Sequence, residues 1–117
     1  MIHFDADRIF IYSKPIDMRK GVDGLCLLLV EQDIKPHGGG VYLFSNHSGR
    51  ILKGLMWDRN GFMLIYKRIE DGRFKIQFNA DQKSPLELSH EQLRWLLAGL
   101  DYTKNILFPE LNIKDFY

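Results

Sequence analysis

Cysteine is nearly absent: Cys26 is the single one in 117 residues. One thiol excludes an internal disulfide, and it excludes a cysteine-based zinc site within one chain. The four histidines, His3, His37, His47 and His90, are scattered without ligand spacing. No apolar run approaches the roughly 18 residues needed to span a membrane. The opening Met-Ile-His-Phe-Asp-Ala-Asp-Arg carries acids where a secretion signal would carry basic residues before an apolar stretch. These absences together predict a soluble protein of a reducing compartment, most simply a cytoplasm. Low hydrophobicity is not among the deficits. Apolar residues make up 45% of the chain and aromatics 13%, which argues against disorder and predicts one domain able to fold without staples.

Net charge is also small, a formal +1, but it hides an uneven distribution. Between Asn46 and Lys75 stand seven basic residues, Arg50, Lys53, Arg59, Lys67, Arg68, Arg73 and Lys75. Only three acids, Asp58, Glu70 and Asp71, oppose them. The remainder of the chain is net acidic. Local positive charge attracts phosphate whatever the overall balance, because counterion release depends on local contacts.

Punctuation along the chain predicts an α+β domain: an antiparallel meander of four to five strands with two main helices. Ile9 to Tyr12 reads as a first strand, ended by Ser13-Lys14-Pro15. Met18, Val22, Leu25 and Leu29 follow at helical spacing, with Asp17 as a possible cap. Gly21 and Gly24 each cost such a helix about 1 kcal/mol against Ala, which implies close backbone packing or a later start. The helix should end before Lys35-Pro36, ahead of the connector His37-Gly38-Gly39-Gly40. Val41 to Phe44, Ile51 to Trp57, Phe62 to Ile69 and Phe74 to Phe78 read as strands. Asn60-Gly61 and Asp71-Gly72 read as tight hairpin turns between the last three. Ser89 and Gln92 form a capping-box signature for the second helix, with Leu88 and Leu93 as its staple and Gly99 as its stop. The core then runs from about residue 8 to 101. The tail 102–117, with Ile106, Leu107, Phe108, Leu111 and Phe116, is apolar enough to predict docking on this domain or on a partner.

With two-residue loops at both turns, Lys53 falls opposite Arg68, and Arg68 opposite Lys75. Like charges facing each other cost a few tenths to about 1 kcal/mol, so such a row points either to an anionic partner or to a different register. A three-residue loop at Arg59-Asn60-Gly61 would set Lys53 opposite Lys67 instead. On the same face lie Trp57, Leu64 and Tyr66, a combination of cations and aromatic rings that suits nucleic acid. The alternative is that Trp57 and Tyr66 pack beneath a helix. Arg19 and Lys20 beside free N–H groups of the first helix form a second candidate phosphate corner, against the simpler alternative of a surface pair tolerated at small cost. Enzymatic signals are weak: no serine, cysteine or histidine sits in a nucleophile–base arrangement. The acids Asp17, Asp58, Glu70 and Asp71 each have a turn, cap or ion-pair role. No cofactor or metal is predicted.

The run Ile16-Asp17-Met18-Arg19-Lys20-Gly21-Val22-Asp23-Gly24-Leu25 resembles the opening motif of the TnpB-type accessory proteins of IS-sixty-six-like bacterial insertion sequences. Tyr42-Leu43-Phe44-Ser45-Asn46 with Arg50-Ile51-Leu52-Lys53 is similar to a second motif of that family. Trp57-Asp58-Arg59-Asn60-Gly61-Phe62, Tyr66 to Phe74, and Leu88 to Asp101 resemble three more. The family's Trp-Pro pair after the Arg-Phe dipeptide is replaced here by Lys75-Ile76. The resemblance implies a non-enzymatic protein that assists transposition beside a separate DDE-type transposase and a sister accessory protein. It also implies that the motif cations are Arg19, Lys20, Lys53, Lys67, Arg68 and Arg73. With charge and register, the candidate DNA-binding set is Arg19, Lys20, Arg50, Lys53, Trp57, Lys67, Arg68, Arg73 and Lys75, and its expected ligand is transposon-end DNA. Docking of the transposase without DNA contact is the alternative.

Overall fold

Val41 to Ser45 is apolar at nearly every position, the pattern of a strand buried on both faces. In the computed structural model, which describes residues 8–103, this run is the middle of a five-stranded sheet. The elements are β1 (Arg8–Ile11), α1 (Val22–Glu31), β2 (Gly40–Ser45), β3 (Ile51–Asp58), β4 (Gly61–Arg68), β5 (Leu86–Leu88) and α2 (His90–Leu97), and the strand order is β4-β3-β2-β1-β5. The β2-β3-β4 meander and the two helices match the α+β expectation. The sheet is mixed, because β1 and β2 pair in parallel. A parallel pair requires a crossover, and α1 supplies it.

Alternation along the strands divides the core into two layers. Tyr42 and Phe44 point toward α1, where they pack with Tyr12, Leu25, Leu29 and Leu55. Val41 and Leu43 point the other way, joining Ile9, Ile11, Leu52 and Leu88 beneath Leu93, Trp95 and Leu96 of α2. Each fully buried large side chain contributes about 1.5–3 kcal/mol by leaving water. The second helix starts as its sequence dictates. The Gln92 N–H donates to Ser89 Oγ at 3.0 Å, and the Ser89 N–H donates to Gln92 Oε1 at 2.9 Å. Gly99, at φ +80°, follows it as the expected stop.

Three expectations are corrected. First, α1 begins at Val22 with Gly21 as its cap residue; Asp17 instead closes a turn, accepting the Arg19 N–H at 2.9 Å. Second, the loop between β3 and β4 is Arg59-Asn60, because Asp58 pairs with Gly61. Arg59 adopts φ +54°, so Gly61 is free to begin β4. Lys53 therefore faces Tyr66 and Arg68 faces Ile51, and the row Lys53–Arg68–Lys75 does not form. Third, Phe74 to Phe78 is not a strand, and Asp71-Gly72 is not a hairpin turn. The segment after β4 is held by single backbone bonds from Ile69 to Arg50, Phe74 to Gly49 and Asn79 to Ser13. Its bulky residues Phe74 and Ile76 join the α2-side core, which a fully laddered strand beyond β4 would not allow.

The strand β5 was not foreseen; its pairing with β1 is reinforced by an Arg8–Glu87 ion pair at 2.8 Å. Of the predicted docked tail, Tyr102 is fully buried and accepts a hydrogen bond from the Gln77 N–H at 3.2 Å. The remainder of the tail lies outside the described residues.

Candidate nucleic-acid interface

Lys53 organises one end of the sheet from within. Its side chain leaves β3 on the α1 face and is only 8% exposed. The ammonium donates to the Met18 carbonyl at 2.6 Å and to the Lys20 carbonyl at 2.8 Å. A buried lysine survives only with such acceptors. Lys53 thus clamps the turn before α1 and is not offered to a ligand.

The clamped turn carries Arg19 and Lys20. Arg19 folds back on Asp17 with a 2.6 Å Nη2–Oδ2 contact. That guanidinium, together with the Arg19 backbone N–H, holds the Asp17 carboxyl well below the usual carboxylate range. Lys20 has no carboxylate within ion-pair distance among the described residues, although its charge adds to the pull on Asp17. Gly24 makes room for its stem, since a Cβ there would lie 3.3 Å from Lys20 Cβ.

At the same end, three arginines arrive from three separate segments. Arg50 closes the β2–β3 loop, and its carbonyl accepts the Ile69 N–H at 2.9 Å. Arg68 ends β4 in register with Ile51. Arg73 lies against Gly49, whose hypothetical Cβ would sit 3.6 Å from Arg73 Cβ and 2.6 Å from the Phe74 carbonyl oxygen. Only glycine fits there, and its φ of +74° suits it as well. The loop itself is built by Asn46, whose side-chain oxygen accepts the N–H groups of Arg50 and Ile51, both at 3.1 Å. Its amide donates to Ser48 Oγ at 3.0 Å. Arg68 pairs with Glu70 at 2.9 Å. Arg50, Arg73 and the neighbouring Lys75 are exposed and have no carboxylate within ion-pair distance among the described residues.

Two further candidates lie elsewhere. Trp57 sits four residues along β3 from Lys53, about 13 Å away at strand rise. There it meets Phe62 edge-on at 5.0 Å and His37 at 5.4 Å. Lys67 points to the α2 face, donating to the Leu97 carbonyl at 3.2 Å, with its ammonium 5.7 Å from the Phe74 ring centre. The structure therefore gathers Arg50, Arg68, Arg73 and Lys75 on one rim, with Arg19 and Lys20 beside the buried Lys53 at the same end. It separates Trp57 and Lys67 from them. Sequence reasoning missed Asn46 and Gly49 as builders of this rim. Among the described residues no three His, Cys, Asp or Glu side chains converge as a metal site, and no helix is long and apolar enough to cross a membrane.

Comparison with known proteins adds a family. The family model described as IS66 Orf2 like protein matches residues 7–106. Two uncharacterized proteins of Sinorhizobium fredii, y4jC and y4hO, are each 32% identical to the chain. The first aligns over 98 residues, covering 83% of this chain and 82% of the relative. The second aligns over 96 residues, covering 81% and 82%. No solved structure matches.

Proposed function

Since this chain belongs to the IS66 Orf2-like family, whose members are tied to insertion-sequence transposition, we propose that it is a non-enzymatic accessory factor that grips transposon-end DNA on the cationic rim of its sheet. The observation that carries the reading is the convergence of Arg50, Arg68 and Arg73 from three segments onto one rim. Guanidinium forks engage phosphate oxygens in bidentate fashion, and such contacts supply affinity without reading bases. Lys20 and Lys75 extend the positive surface. Lys53 acts as a positioning residue, holding the turn that presents Lys20.

A second reading, docking of the transposase without DNA contact, draws on the exposed β4 edge, where Tyr66 is 55% exposed. Fluorescence anisotropy with a transposon-end duplex across a salt series separates the two. Three phosphate contacts give a log–log salt slope of about −2.7. The Arg50→Glu/Arg73→Glu double variant is expected to lose most affinity and flatten that slope. Unchanged binding by the variant would refute the rim as the DNA site. No binding by the parent protein even at low salt would favour docking.

A further inference from the structure

The outer edge of β4 has no strand neighbour among the described residues. It is eight residues long, without proline, and its middle is apolar on both faces. Met63 is 45% exposed, Leu64 38% and Tyr66 55%. Long, apolar, unprotected edges invite another strand. The Ile69 N–H bonds inward to Arg50. By the alternation of an antiparallel ladder, Phe62, Leu64 and Tyr66 therefore turn their N–H and C=O groups outward.

We propose that this edge is a homodimer interface, in which β4 pairs antiparallel with β4 of a second copy about a two-fold axis at Leu64. That register is self-complementary. Leu64 meets Leu64 of the second copy, Phe62 meets its Tyr66, and Met63 meets its Ile65, so every central rung is apolar. Lys67 falls opposite Gly61 of the second copy, and beyond that glycine, on the same face, lies Asp58. Gly61 has open space where a Cβ would be, and Asp58 has no cation within ion-pair distance among the described residues. The two outer Cα atoms of that three-strand row are about 10 Å apart, within the combined reach of the two side chains. Symmetry makes the pair twice. Its formation replaces the exposed contact of Lys67 with the Leu97 carbonyl. A two-fold axis at Ile65 would instead set Lys67 against Met63 and Arg68 against Phe62. Charge complementarity thus selects the axis at Leu64, and it selects a second copy over an unrelated strand.

Sedimentation analysis of the full chain tests this without DNA, so its outcome is independent of the rim's role. The parent protein is expected to dimerise. Lys67→Asp and Asp58→Lys should each weaken the dimer by about tenfold, since each variant disrupts two pairs and introduces repulsion. The combined swap should recover most of that loss. Leu64→Glu, which sets two carboxylates across the axis, should give a monomer with an unchanged circular dichroism spectrum. A parent protein that stays monomeric at its highest soluble concentration, or a swap that recovers nothing, would overturn the proposal.

Discussion

The β3–β4 ladder has two ends built on opposite terms. At the turn end, Trp57, Phe62 and His37 close the structure with ring against ring. At the other end the shape comes from polar main-chain bonds, through Asn46, Lys53 and the Gly49–Phe74 contact. That construction leaves the arginines pointing away. The eight rungs of one ladder therefore carry a packing surface at one end and lead into a charged rim at the other. Residues adjacent in a motif do not share a task. Trp57 looked like a stacking partner for the cations, yet the strand's own length keeps it from them.

Substitutions can break this contrast or sharpen it. The largest effect is expected for Lys53→Met, which leaves the Met18 and Lys20 carbonyls without their donor. Urea unfolding should show a loss of about 3 kcal/mol. A loss within about 0.5 kcal/mol, the range of ordinary surface changes, would remove the clamp from the account. Next is Trp57→Ala at the turn end, expected to cost about 2 kcal/mol through lost ring contacts and half-buried area while leaving DNA affinity unchanged. A fall in affinity matching that of the Arg50→Glu/Arg73→Glu variant would erase the distinction between the ends. The smallest effect belongs to Arg19→Ala. The Asp17 carboxyl is held below its ordinary range in the folded protein. Its contribution is therefore present above that range and is lost as pH falls toward the folded value. NMR titration of the variant should show Asp17 returning toward the ordinary range, with slightly lower stability at neutral pH and none lost in strong acid.

Much of the fold could be read from the residues. The Ser89–Gln92 box, the Gly99 stop and the Leu25–Leu29 stripe all lie where local chemistry puts them. The hairpin register did not, because turn preferences favour Asn60-Gly61, whereas Arg59 takes the positive φ that asparagine or glycine more often adopts. The slip displaces partners by two residues, so each side chain keeps its face. That is why Trp57, Leu64 and Tyr66 still share a face with Lys53. Phe74 to Phe78 alternates like a strand, but Phe74 and Ile76 serve the core under α2 and not a ladder. The burial of Lys53 was illegible for a simpler reason. Lysine is almost never buried, and nothing local announces two waiting carbonyls. For the site, this means that the rim's cations were visible in the sequence and its architecture was not.

Gly49 bears on entropy as well as on space. By letting the Phe74 backbone approach, it joins the β2–β3 loop to the segment after β4, so that Arg50 and Arg73 are mounted on two segments tied by the Phe74 N–H to Gly49 carbonyl bond. Two charges fixed to a common frame lose less freedom on meeting a phosphate ladder than two on independent loops. Their spacing is decided when the protein folds, before any ligand arrives. A side chain at position 49 would therefore loosen the grip without removing a single charge.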